Sequence, residues 1–242
     1  GQYVKAIELY EKALHLSRQF NYRHGEALAL RKLAVWHIDQ GGYDQALDLL
    51  TKSVAINQDY PGNFESLKSL AADYFDIGLV YANKNDYEAA KDFYAKSLKL
   101  FAKLKLTDEL SDCYFNIGEI YFFQKQYQKA LDYYFKGLKL DEQNNNRTNL
   151  ACGFNMIGEL YLEIDDLKQA EEYFKQSLEV SRQIDSRLDL ASANYNLGQL
   201  YKKKGNKNLA KEYLRKAQEV YRNADPATHQ EIRKELLELE NF

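Results

Sequence analysis

Much of what special-purpose folds require is scarce in this sequence. Two prolines and 12 glycines among 242 residues exclude collagen-like and proline-rich chains. Two cysteines do not make a disulfide scaffold. Cys113 and Cys152 stand alone, without a CxxC or a nearby histidine, so they do not supply the closely spaced ligand pairs of a zinc site. Neither charge sign dominates: 33 basic residues face 36 acidic ones, which gives no general footprint for nucleic acid. No run of about 18 apolar residues exists, so no spanning helix is expected. The opening GQYVKAIELYEK has neither the basic nor the apolar region of a secretory signal. Gly41-Gly42 lacks the GxxxxGK context of a phosphate loop, and His15, His24, His37 and His229 are scattered. We therefore expect no catalytic residues, no metal and no cofactor. Two unpaired cysteines and the lack of a leader point to a reducing, cytoplasmic setting. Asn146-Arg147-Thr148 is then a chance sequon.

Tyrosine is what the sequence has in excess. There are 20, with 12 phenylalanines, in a chain of mean hydropathy −0.62. Such rings must be half-buried, with the apolar face and the hydroxyl served separately. Their order explains them. DYFDIGLVYANKNDYEAAKDFYAKSLKL (73–100) aligns with CYFNIGEIYFFQKQYQKALDYYFKGLKL (113–140). GFNMIGELYLEIDDLKQAEEYFKQSLEV (153–180) and ANYNLGQLYKKKGNKNLAKEYLRKAQEV (193–220) follow in the same frame. Gly78, Gly118, Gly158 and Gly198 recur every 40 residues, each followed three places on by a tyrosine: Tyr81, Tyr121, Tyr161 and Tyr201. An alanine column runs Ala6, Ala46, Ala90, Ala130, Ala170 and Ala210. Most of the tyrosines fall in such columns, Tyr3 among them, so they are a stacking requirement more than a binding surface.

Within each unit the apolar residues follow i, i+3, i+4, i+7, broken by short polar turns such as KND (84–86) and DD (165–166). Each unit therefore reads as two antiparallel helices. Longer polar joints, DEQNNNRTN (141–149) and RQIDSRLD (182–189), are expected between units. A glycine inside a helix costs about 1 kcal/mol against alanine, so glycines in register need a packing reason. Close crossing of glycine in the first helix and alanine in the second supplies it. The expected organisation is a half unit at 1–22 holding only a second helix, then full units at 23–62, 63–106, 107–146, 147–186 and 187–224. A helix follows at 225–242, with Asp225 as N-cap, Pro226 in the first position and an Ile232, Leu236, Leu239 stripe. It reads either as a cap or as the start of a linker. The unpaired first helix reads as the edge of a longer array, one on which copies of the chain could pair.

These columns resemble the tetratricopeptide repeat. Tyr74, Ile77, Gly78, Tyr81, Ala90, Tyr94 and Ser97 fill its slots in one unit, and Phe154, Ile157, Gly158, Tyr161, Ala170, Phe174 and Ser177 in another. The resemblance covers roughly residues 1–223. Departures are a period of 40 against the usual 34, Asn194 in an aromatic slot, and no closing proline in the units. The longer unit is similar to repeats of kinesin light chains, of polarity adaptors and of bacterial regulators. The resemblance implies an all-α, right-handed superhelix whose first helices line a concave groove. It also implies a non-enzymatic module binding a peptide or helix of a partner protein, or a sensor array controlling an adjacent effector in a signalling protein.

Projecting the first helices onto that groove gives Phe75, Asp76 and Leu79, then Phe115, Asn116, Glu119 and Phe123. Asn155 and Glu159 follow, then Tyr195, Asn196, Gln199 and Lys203, with Arg31 and Glu163 on the same projection. Rings there offer apolar anchors and amides can bond a peptide backbone. The other reading is that curvature buries the rings between neighbouring first helices. The family's carboxylate clamp needs Lys and Asn where Phe75, Leu79, Phe115 and Glu119 stand, so chaperone C-termini are disfavoured as partners. The groove acids favour a basic partner. The run YKKKGNKNLAKEYLRK (201–216) is expected to be a solvated face, with docking of nucleic acid or an acidic partner as the weaker reading. No membrane partner is expected.

Overall fold

Among the described residues, nine single positions set the course of the chain. Asn21, Gly41, Asn85, Lys105, Lys125, Asn145, Asp165, Asp185 and Gly205 take left-handed backbone angles, with φ between 52° and 74°. From Asn85 to Gly205 they fall every 20 residues. One such residue ends a helix and turns the chain, and Gly, Asn and Asp take that conformation at the lowest cost. The computed structural model describes residues 2–240; Gly1, Asn241, Phe242 and the side chains of Gln2, Tyr3 and Val4 lie outside the description.

The described residues form twelve helices and no strand. They are α1 (Gln2–Gln19), α2 (Arg23–Asp39), α3 (Tyr43–Gln58), α4 (Phe64–Asn83), α5 (Tyr87–Leu104) and α6 (Thr107–Phe123). Then come α7 (Tyr127–Asn144), α8 (Arg147–Glu163), α9 (Leu167–Gln183), α10 (Arg187–Lys203), α11 (Lys207–Ala224) and α12 (Pro226–Glu240). The joints expected to be long are short. α7 continues to Asn144 and α8 starts at Arg147, because one left-handed residue, Asn145, suffices between them. The two joints without a left-handed residue are marked by the two prolines, Pro61 within the joint of α3 and α4 and Pro226 as the first residue of α12. Polar side chains close the helix starts: Asn63, Asp86, Asn146, Asp166, Ser186 and Asn206 each accept from a backbone N–H three residues on. The chain divides into two units, Gly1–Ile120 and Tyr121–Phe242.

Three recurring contacts bind first helix to second. Gly78, Gly158 and Gly198 each lie against a bulky side chain of the second helix, not against the column alanine. A Cβ there would stand 2.8 Å from the Tyr94 ring, 2.5 Å from Phe174 and 2.7 Å from Leu214. All three partners are fully buried, and so is the alanine four residues before each. The tyrosine three places after each glycine position stacks on the preceding member of the second helix. Tyr81 lies on Phe93, Tyr121 on Tyr133, Tyr161 on Tyr173 and Tyr201 on Tyr213, with centroids 5.4–5.5 Å apart. A buried serine then meets a first-helix carbonyl 26 residues back: Ser97 donates to Ala71 and Ser177 to Ala151, both at 2.8 Å, and Ser53 Oγ lies 3.1 Å from the Ala27 carbonyl. At the far end of the second unit, Ile232, Leu236 and Leu239 of α12 join the core around Leu214 and Ala217. Asp225 accepts from the Ala227 and Thr228 N–H groups and caps that helix.

Candidate functional site

In the first unit, α2, α4 and α6 carry the projected residues. Asp76 is buried and accepts from the Arg31 guanidinium at 2.6 Å. Burial pushes its carboxyl above the usual range, with Arg31 pulling against it. Phe75 is half-buried with its ring 5.5 Å from Tyr94, and Leu79 packs on the core. The expectation of exposed rings is corrected here: Phe115 is only 7% exposed. Asn116 is half-buried and bonded at both ends of its amide, donating to the Asp112 carbonyl at 2.8 Å and accepting from the Tyr94 hydroxyl at 3.2 Å. Its bonds are those of a structural residue. Asn116→Ala is expected to cost about 1–3 kcal/mol of stability, read by denaturant unfolding. Glu119 is half-buried near Tyr94.

Of these, Arg31, Phe75 and Asp76 border a cavity of about 220 Å³, lined also by Lys68, Ala72, Phe101, Glu109 and Asp112. Three of the lining side chains are apolar and five are charged. Lys68 and Glu109 face each other at 3.7 Å, both partly exposed, a pairing weak enough to exchange for a ligand. The projection reached Phe75 and Asp76 but missed Lys68, Ala72, Glu109 and Asp112. They lie four and seven residues before Phe75, Asp76 or Asn116, on the same helical faces one or two turns earlier.

In the second unit the projected polar residues bond one another across adjacent helices. Asn155 is buried and its amide stands 3.4 Å from Ser192 Oγ. Asn196, also buried, donates to Glu159 at 2.8 Å. Glu159 stays open to water yet is ringed by protein atoms. That partial desolvation, against the Asn196 bond, holds its carboxyl above the usual range. Gln199 donates to both Glu235 oxygens at 2.8 and 2.9 Å. Tyr195 packs against the core, and burial together with Glu235 and Glu231 pushes its hydroxyl up to about 12. Lys203 donates to the Leu162 carbonyl and pairs with Asp165 at 3.0 Å. Of the projected rings only Phe123, 58% exposed, stands open. Asn155 Oδ1 is buried without a partner.

The basic run 201–216 is largely neutralised. Lys202 pairs with Glu235, Lys203 with Asp165, Lys204 with Glu171, Arg215 with Glu240 and Lys216 with Glu212. Glu171 is partly desolvated, but Lys175, Lys204 and Tyr201 hold its carboxyl down to about 2. Cys113 is buried beside Ser97, its thiol pushed up to about 12 by burial, whereas Cys152 is exposed. Among the described residues no cluster of His, Cys, Asp and Glu could hold a metal ion, and no helix is long and apolar enough to cross a membrane.

No curated protein sequence matches this one. Solved structures of the same fold do. BtubC (BKLC) from P. vanneervenii superposes with a TM-score of 0.76 at 18% identity, over 90% of this chain and 91% of that one. Aspartyl phosphate phosphatase F from Bacillus subtilis gives 0.73 at 15%, over 99% of this chain and 65% of that one. The Rap conjugation gene regulator of the plasmid pLS20, solved in complex with the Phr* peptide, gives 0.71 at 16%, over 86% of this chain and 56% of that one. The chain thus spans less than two thirds of the length of the last two. The tetratricopeptide repeat model matches residues 1–59, 69–143 and 149–223. The helix hairpins, their glycine and tyrosine columns and this match agree: the chain belongs to the tetratricopeptide repeat family.

Proposed function

We propose that the protein is a non-enzymatic interaction module that holds an extended or helical segment of a partner protein on its first-helix face, the concave side of the family fold. The observation that carries this reading is the cavity among α2, α4, α5 and α6, whose lining joins the apolar Ala72, Phe75 and Phe101 to five charged side chains. Arg31 and Lys68 face Asp76, Glu109 and Asp112, so the lining carries one more acid than base. That balance favours an apolar anchor residue flanked by Lys or Arg. Asp76 is committed to Arg31. Glu109, whose pairing with Lys68 is loose, and Asp112, one turn further along α6, present the remaining carboxylates of the lining to a cation of the partner. In the second unit Asn155, Glu159, Tyr195, Asn196, Gln199 and Lys203 shape the face by bonding or packing within it, and Phe123 adds an exposed ring.

A peptide library selected on the purified chain should return sequences with a basic residue beside an apolar one. The double change Glu109→Lys and Asp112→Lys should weaken the selected peptides at least tenfold with the melting temperature held within a few degrees. Unchanged affinity would remove the reading. A second reading, a sensor array controlling an effector in a larger regulator, is favoured by one observation. The Rap regulator superposed above was solved with the Phr* peptide, and this chain spans 56% of its length. A contiguous effector segment in the parent gene would favour that reading.

A further inference from the structure

Three successive seams between one hairpin and the next are apolar at the same places. Leu98 of α5 and Leu110 of α6 pack on one core with Phe101 and Cys113. Leu138 of α7 and Leu150 of α8 are both buried. Leu178 of α9 is buried, and Leu190 of α10 packs against the same core. The seam between α11 and α12 departs from this pattern. Forty residues after Leu178 stands Gln218. The register of α12 follows from three core places: Ile232, Leu236 and Leu239 lie buried 39 residues after Ala193, Leu197 and Leu200. The same count puts His229 in the place of Leu190, and Arg233 in the slot held by Tyr74, Tyr114 and Phe154 in earlier units.

These polar side chains do not simply face water. Gln218, Glu219 and Arg222 of α11 and His229 and Arg233 of α12 together line a crevice of about 390 Å³. Within each helix they stand three or four residues apart, so they share the face turned to the crevice. Two guanidiniums and an imidazole meet one carboxylate there. Among the described residues neither guanidinium forms an ion pair, whereas Lys202, Arg215 and Lys216 of α10 and α11 each hold an acid. Stacking does not call for this exchange of apolar for cationic side chains, and unneutralised cations lining a cleft concentrate anions.

We propose that the crevice between α11 and α12 is a binding site for a phosphate group, gripped by Arg222 and Arg233 from its two walls. Each guanidinium offers a planar fork of N–H donors that matches two oxygens of a tetrahedral phosphate, and the pair balances a dianion. The Gln218 amide and an N–H of His229 supply donors for the remaining oxygen. A planar carboxylate has two oxygens and one charge, so it engages one fork and leaves the other unused. Glu219, the single acid of the lining, opposes any anion and sets the affinity below what the other four residues alone would give. The site shares no residue with the first-unit cavity, so its failure leaves the proposed function intact.

The test titrates the intact labelled chain with inorganic phosphate at pH 7.5, against acetate at equal ionic strength. Phosphate should shift the NMR signals of Gln218, Arg222, His229 and Arg233, and acetate should bind at least tenfold more weakly. The double change Arg222→Gln and Arg233→Gln should weaken phosphate at least tenfold with the melting temperature held within a few degrees, since both side chains are exposed. Glu219→Gln should act in the opposite direction and tighten binding about threefold. Equal binding of acetate and phosphate, unchanged affinity in the arginine variant, or shifts confined to the lysines of 202–216 would overturn the proposal. A phosphoserine peptide then separates the sources. Binding at least tenfold tighter than inorganic phosphate assigns the group to a phosphorylated protein segment, and equal binding assigns it to free phosphate; either result upholds the site.

Discussion

Replacing Asp73 by asparagine is expected to stabilise the protein at pH 8 and to change little near pH 4. Asp73 lies fully buried on α4, accepting from Ser53 Oγ and Asn57 Nδ2, both at 2.8 Å, while its other oxygen has no partner. Burial pushes its carboxyl up from 3.8 to about 7, against those two bonds and Arg31, with nearby Asp76 adding to the rise. The folded chain therefore binds a proton at Asp73 that the unfolded chain has released between pH 4 and 7. Stability falls with rising pH across that window, because the unfolded state binds fewer protons there. A shift of about three units corresponds to roughly 4 kcal/mol at most. The stability difference between Asp73→Asn and the natural chain should grow by up to about that amount from pH 4 to pH 8. Taking the difference cancels groups common to both, Glu159 among them. Chemical denaturation at several pH values reads it, and a difference constant from pH 4 to 8 would contradict the account.

The second large effect concerns the glycine seats. Phe174 is fully buried against Gly158, and Phe174→Ala should cost about 3–5 kcal/mol. Gly158→Ala brings a methyl to 2.5 Å from that ring and should cost about 1–3 kcal/mol by overpacking. The double variant should cost less than the sum by roughly 1 kcal/mol, since the added methyl then enters the space the ring has left. Additive losses would show that the glycine is not there to admit the ring. Core deletions of this kind act on the second unit, and its cooperative unfolding is the measured transition.

The helices, the hairpins and the family were legible because the columns repeat: Gly78, Gly158 and Gly198 and the tyrosines behind them mark one contact made several times. The partner of the glycine was not legible. The alanine and the residue four places beyond it lie on the same helix face, and periodicity alone does not choose between them. Joint lengths were misjudged because polar composition at 141–149 suggested loop, whereas a single left-handed Asn145 lets both helices run on. Of the groove, Asp76 was placed with its cavity, but Phe115 and Asn196 proved buried. A projection from one helix does not count the neighbouring helix that covers it. Asp73 was overlooked although its column otherwise reads Cys113, Gly153 and Ala193, where an acid stands out.

The most direct test of the proposed partner site is an NMR titration of the labelled chain with a peptide selected on it. The account expects the largest shifts at the backbone amides of Lys68, Ala72, Phe75, Asp76, Glu109 and Asp112, around the first-unit cavity, and their loss in the Glu109→Lys, Asp112→Lys variant. Shifts confined to the second helices α3 and α5, with the cavity amides unmoved, would contradict it.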